Sequence, residues 1–133
     1  MTNVPLRMTE ISGAEALWLL EGSSLGRLVY VRRELPVVRP ARHLWGVGRL
    51  IVRSPVQAAA VPATATYHVD EFGAAAGTGW SVTASGPTEV ITDPDEAASY
   101  RRALPAVTHG PHDTVVRIRP QTVAGFRLTR AEG

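Results

Sequence analysis

The apolar positions of this chain follow a helical period near the start and a period of two through most of the rest. Ser12-Gly13-Ala14-Glu15 opens the helical part: the Ser12 hydroxyl is placed to accept the Glu15 N–H, and the glutamate to reach back. Ala14, Leu17 and Trp18 share one face, and Gly22 stands where a helix stops. A helix over Gly13–Glu21 is expected, with Trp18 in the core. From Gly26 the alternation begins. Gly26–Arg32 reads as a strand and Glu34-Leu35 as its turn. Pro36–His43 follows as a second strand, which its prolines confine to an edge or to irregular pairing. Gly46-Val47-Gly48 signals a turn before a third strand, Arg49–Ser54, and Pro55–Val61 has room for one helical turn.

Thr64–Asp70 alternates again. Phe72–Thr78 is a Gly/Ala loop, and Gly79–Ile91 is one long strand with a bulge or bend at Gly86-Pro87. Asp93-Pro94-Asp95-Glu96 carries the marks of a helix start: an acidic N-cap, proline at the first position and glutamate at the third. That helix should run to about Ala103. His109–Asp113 is a loop, and Thr114–Arg119 and Thr122–Leu128 are the last strands. Six or seven strands with short helices between them predict a small β-barrel with peripheral helices.

Composition narrows the chemistry. The 133 residues suit a single domain, and an apolar share of 44% suffices for a core. All 14 basic residues are arginine, and cysteine is absent. Without lysine there is no Schiff base to pyridoxal phosphate and no P-loop lysine. Without cysteine there is no thiolate nucleophile, no cysteine-ligated metal and no disulfide, which suits a cytoplasmic location. The net charge is only +2. The arginines are scattered, with doublets at Arg32–Arg33 and Arg101–Arg102, so a nucleic-acid partner is not expected. Met1 to Arg7 holds no apolar run of the secretory kind. The uncharged stretch Ser54–His68 is too short and polar to cross a bilayer, so no membrane association is expected either.

Four phrases, taken in order, then point to a family. They are Gly26-Arg27-Leu28-Val29-Tyr30; Pro36–Pro40 with Gly46–Ser54; Val69-Asp70-Glu71 through Gly79-Trp80-Ser81-Val82 and Ser85-Gly86; and Gly110–Asp113 with Val116-Arg117-Ile118 and Gly125-Phe126-Arg127. Together they resemble the FMN-binding split-barrel family, which includes the pyridoxamine 5'-phosphate oxidase-like proteins of actinobacteria. The resemblance implies a mainly β, six-stranded split barrel with short peripheral helices over residues 1–133, its core about 10–128. It also implies a homodimer that holds FMN in a cleft between subunits and acts as an oxidoreductase on a small organic molecule. Residue by residue, it places Arg53 and Ser54 at the flavin phosphate and Trp80 and Ser81 near the flavin. Arg42 and His43 fall beside the isoalloxazine ring and are the catalytic candidates.

The departures are specific. The turn after Arg53-Ser54 is Pro55-Val56-Gln57, where relatives carry a lysine, so Gln57 replaces a phosphate-binding cation. Arg39, Arg42 or Arg49 would have to compensate. Two alternatives therefore stand beside an FMN oxidoreductase. One is a barrel that has lost FMN and serves as a cofactor-independent enzyme of specialised metabolism or a small-ligand-binding module, with Arg42, His43 and His112 near its cleft. The other is a deazaflavin-dependent reductase.

The remaining candidates have plainer readings. His109-Gly110-Pro111-His112-Asp113 is a surface turn set by Gly-Pro, and no metal site is assigned. His68 reads as a satisfied mid-strand imidazole. Asp70 and Glu71 are adjacent and so point to opposite faces of a strand, which argues against a paired-carboxylate hydrolase. Tyr30 and Tyr67 read as core or interface residues, and no Gly-x-Ser-x-Gly phrase is present.

Overall fold

A computed structural model describes residues 5–131. Residues 1–4 of the N-terminal stretch discussed above lie outside the described residues, as do 132–133. The elements in chain order are β1 (Leu6–Glu10), α1 (Gly13–Glu21), β2 (Leu25–Arg32), β3 (Leu35–Gly46), β4 (Arg49–Ser54), a 3-10 turn (Ala58–Ala60), β5 (Thr64–Phe72), β6 (Gly79–Val90), α2 (Pro94–Ala103), β7 (Thr114–Ile118) and β8 (Thr122–Arg130).

All pairings are antiparallel, in the order β1-β8-β6-β5-β2-β3-β4-β7, and β7 returns to β6. Strands β2 to β7 therefore close a six-stranded barrel, and β8 and β1 extend from it. Closure depends on β6 changing partners. One edge of β6 pairs with β5 along its length from Gly79 to Pro87. The other edge pairs with β8 as far as Ser85 and with β7 from Thr88 onward. The bend expected at Gly86-Pro87 lies at this change.

Both N-cap side chains accept as their sequences predict, but the Glu15 carboxylate, expected to reach back to the N-cap, accepts from Arg127 instead. The Glu15 N–H donates to Ser12 Oγ at 3.1 Å, and the Glu96 N–H to Asp93 Oδ2 at 2.8 Å. Pro36 and Pro40 sit in the half of β3 paired only with β2, since β4 joins from Arg42 onward, so neither disrupts a second ladder.

Four further expectations need correction. The β2–β3 turn is Arg33-Glu34, both with positive φ (52° and 66°), and Leu35 already pairs with Arg32. This is a two-residue hairpin turn of the type whose twist suits its strands. The second strand runs on past His43 to Gly46. An eighth strand, β1, was missed; it is almost wholly exposed and held only by β8, so burial never imposed a pattern on it. Trp18 is 67% exposed rather than in the core. Leu19 and Leu20 are the α1 residues that enter the barrel, together with Ala16.

The inward face of the barrel strands carries Leu28, Tyr30, Ala41, Leu50, Val52, Ala65, Tyr67, Val69, Val82 and Val116, and α1 closes one end. A second, smaller cluster lies outside the barrel wall, where α2 covers Ile51 and Val115 with Ala97 and Leu104. Strand β7 is thus buried on both faces.

Candidate functional site

The residues singled out by resemblance form adjacent pairs on strands: Arg42-His43, Arg53-Ser54 and Trp80-Ser81. Successive side chains on a strand point to opposite faces. The barrel therefore separates each pair, sending His43, Ser54 and Trp80 inward and Arg42, Arg53 and Ser81 outward. One ligand cannot touch both members of a pair on the same strand face.

The inward members are occupied. His43 is 1% exposed. Its Nε2 lies 2.8 Å from the Leu20 carbonyl, which can only accept, so Nε2 carries the proton. Nδ1 then accepts the Tyr67 hydroxyl at 2.6 Å. His43 thereby satisfies a last-turn carbonyl of α1 and ties the helix to the barrel. Burial pushes its pKa below the usual 6.5, against the raising effect of the backbone contacts with Leu20 and Ser23. Burial likewise pushes the Tyr67 hydroxyl well above its ordinary range. Gly26 makes room for this phenol, because a Cβ there would stand 2.5 Å from the Tyr67 oxygen. Ser54 is also buried and donates to the Pro40 carbonyl at 2.9 Å.

The His43 geometry has a consequence for stability. Above about pH 6.5 the ring is neutral in both folded and unfolded chains. Below that the unfolded chain takes up a proton that the buried ring resists, so stability falls with pH by up to about 1.4 kcal/mol per unit. Melting at about pH 7.5 and about pH 5 should show the loss, and His43→Gln should flatten it. An equal loss in the variant would remove His43 as its source.

Two of the outward members, Arg42 and Arg53, form the candidate site. Arg42 and Arg53 face each other as Cα partners across β3 and β4. Arg53 is fully engaged. Nε and Nη2 grip the two oxygens of Asp113 at 2.9 and 2.7 Å, and Nη1 donates to the Arg101 and Leu104 carbonyls at the end of α2. The Asp113 contact raises the Arg53 pKa further, and Arg53 holds the Asp113 carboxyl below the usual range. Arg42 differs: its Nε is buried with no hydrogen-bond partner among the described residues. Gln57 is exposed beyond the end of β4, with its Nε2 at 3.3 Å from His112 Nε2.

Ser81 belongs to another outward group. His68 Nε2 lies 2.8 Å from Ser81 Oγ, and Nδ1 lies 3.3 Å from Arg27 Nη1, a pure donor. Nδ1 must accept, so the ring presents a proton to Ser81 and cannot take one from it. Asp70 is 3.6 Å from the same Nε2 and accepts from Arg27 at 3.3 Å. Ser, His and Asp are close here, but the proton faces the wrong way for a serine nucleophile. This network escaped sequence reasoning because Arg27, His68 and Ser81 lie on three different strands. Asp113 was visible in the sequence, but its pairing with Arg53 depends on β4 and β7 being neighbours. His109 and His112 are exposed on their loop.

A six-stranded antiparallel barrel, closed through one strand with two successive partners and extended by two more strands, defines the class: a split barrel. The chain belongs to the pyridoxamine 5'-phosphate oxidase family, whose model matches residues 12–127. The uncharacterized protein Rv0080 of Mycobacterium tuberculosis is 35% identical, over 91% of this chain and 86% of that protein. Two solved structures share the fold. One is a Corynebacterium glutamicum protein named as a candidate pyridoxamine 5'-phosphate oxidase (TM-score 0.73, 24% identity, covering 92% of this chain and 99% of that one). The other is an FAD-binding protein of Mycobacterium smegmatis (TM-score 0.66, 21% identity, covering 91% and 98%). Among the described residues no helix is long and apolar enough to cross a membrane.

Proposed function

We propose that the chain is a cytoplasmic, homodimeric flavin-binding protein, with FMN as the flavin and a small organic molecule as the substrate of an oxidoreductase. The observation that carries this is the buried Nε of Arg42, which has no hydrogen-bond partner among the described residues and lies on the strand beside Arg53. The two arginines are cross-strand partners on the outer face, and of the two only Arg53 is paired with Asp113, so that face has positive charge to spare for an anion. The fit is partial. Arg42 has an uncommitted Nε to offer a phosphate and Gln57 would give up only its exposed contact with His112, whereas Arg53 and Ser54 would have to give up internal hydrogen bonds. When bound, the flavin would supply hydride or electron transfer; this chain's residues would anchor it and shape its cleft. Exposed Leu25, Val38 and Leu44 lie on the same outer face as Arg42, which supports a second copy of the chain covering it.

Titration with FMN, riboflavin, FAD and a deazaflavin tests the proposal. FMN should bind, and Arg42→Ala should weaken it about tenfold or more while leaving riboflavin, which has no phosphate, nearly unchanged. A colourless protein that takes up none of the flavins would sink it. That outcome would favour the second reading, a barrel that binds another small ligand without a flavin. The committed Arg53 and Ser54, and Gln57 in place of a lysine, are the observations behind that alternative.

A further inference from the structure

A cleft of about 390 Å³ opens between α1 and the strands β5 and β6, lined by Trp18, Leu19, Glu21, Gly22, Glu71 and Trp80. It holds none of Arg42, Arg53 and Gln57, and its walls have the opposite electrostatic character. Its chemistry follows from spacing. Trp18 and Glu21 are three residues apart on α1 and share a face. Glu71 and Trp80 are cross-strand partners, so their side chains stand together on one face of the sheet. Two indoles and two carboxylates thus converge from helix and sheet.

Among the described residues none that lines the cleft is basic. The arginine next in this row is Arg127, the partner of Trp80 on β8, and its Nε and Nη2 both donate to Glu15 Oε1 at 3.0 and 2.8 Å. Among the described residues neither Glu21 nor Glu71 takes part in an ion pair. Trp18 is the large apolar side chain that the helix leaves 67% exposed at the mouth, while Trp80 is 8% exposed at the wall.

We infer that this cleft binds an organic cation, a quaternary or alkyl ammonium group. Indole faces attract a cation through their quadrupole and give its methyl groups apolar contact. The carboxylates supply the opposite charge. A neutral apolar ligand would leave both carboxylates facing it without compensation, and an anion would be repelled. Only Trp80 is shared with the expected flavin surroundings, so failure of this site would leave the flavin proposal standing.

The probe is choline, set against its uncharged isostere 3,3-dimethylbutan-1-ol and followed by NMR of the tryptophan indole N–H signals. Choline should shift the Trp18 and Trp80 signals saturably, with a Kd on the order of 1 mM or tighter, and the isostere should bind about tenfold more weakly or not at all. Trp18→Ala should weaken choline about tenfold with an unchanged melting temperature, because this side chain is mostly in solvent. Glu21→Gln combined with Glu71→Gln should weaken binding about fivefold and remove its salt dependence. Equal affinity for the isostere, no saturable shift, or full binding in Trp18→Ala would each overturn the inference.

Discussion

Gly86→Ala should destabilise the protein by about 3 kcal/mol or more, among the largest losses available from adding one methyl group. A Cβ at position 86 would lie 1.9 Å from the Arg119 carbonyl oxygen, far inside contact distance, and the obstruction is backbone. The surrounding chain cannot easily give way. The Gln121 N–H donates to the Ser85 carbonyl at 2.8 Å and the Arg119 N–H to the Pro87 carbonyl at 3.0 Å, so the two chains are held together on both sides of Gly86. This is also the point where β6 leaves β8 for β7. Strain there should act on barrel closure itself, lowering the denaturation midpoint and loosening β7 most. Hydrogen exchange would read this as lost protection over Thr114–Ile118 ahead of β5. An alanine variant with wild-type stability would show that the crossing has more room than its geometry allows.

Arg53→Met should cost about 3 kcal/mol, because the change strands several partners at once. Asp113 loses both guanidinium hydrogen bonds, and the Arg101 and Leu104 carbonyls lose a donor at the end of α2. Methionine keeps the length of the stem, so the loss is chiefly polar. Asp113→Asn should cost less, since the amide can still accept one bond, and a double-mutant cycle should show coupling of about 2 kcal/mol. The result also bears on function. A phosphate anchor would lose FMN affinity on substitution while keeping its melting temperature. Arg53 as a latch between β4, α2 and the loop before β7 predicts the reverse: a clear fall in melting temperature, with Arg42→Ala the variant that loses the phosphate.

Much of the fold was legible because local rules and burial agreed. Both helices begin at N-cap residues that accept the expected N–H, although Glu15 turns to Arg127 rather than back to its cap. Thr64–Asp70 alternates because one face meets the barrel interior, whereas Leu50-Ile51-Val52 in β4 is buried on both faces, by the barrel and by the α2 side. Leu6–Glu10 was not legible, since an exposed strand held by a single neighbour needs no apolar alternation. Trp18 was placed in the core because its spacing with Leu17 fits a helical stripe; the helix turns Ala16, Leu19 and Leu20 inward instead. The site was less legible than the fold. The alternation argument that separated Asp70 from Glu71 applies equally to Arg42-His43, Arg53-Ser54 and Trp80-Ser81, and it divides each candidate pair between core and surface.

By itself the sequence determined most of the strands, the two N-caps, the family, and a chemistry that must work with arginine and without lysine or cysteine. Those are local or compositional properties, present in any conformation of the chain. Only the tertiary structure decided which arginine is committed. Arg53 meets Asp113 because β4 lies beside β7, while Arg42, one strand over, keeps a buried nitrogen without a partner among the described residues. Two residues of the same type thus have different chemistry, and the difference lies in contacts made across some sixty positions of sequence, between Arg53 and Asp113.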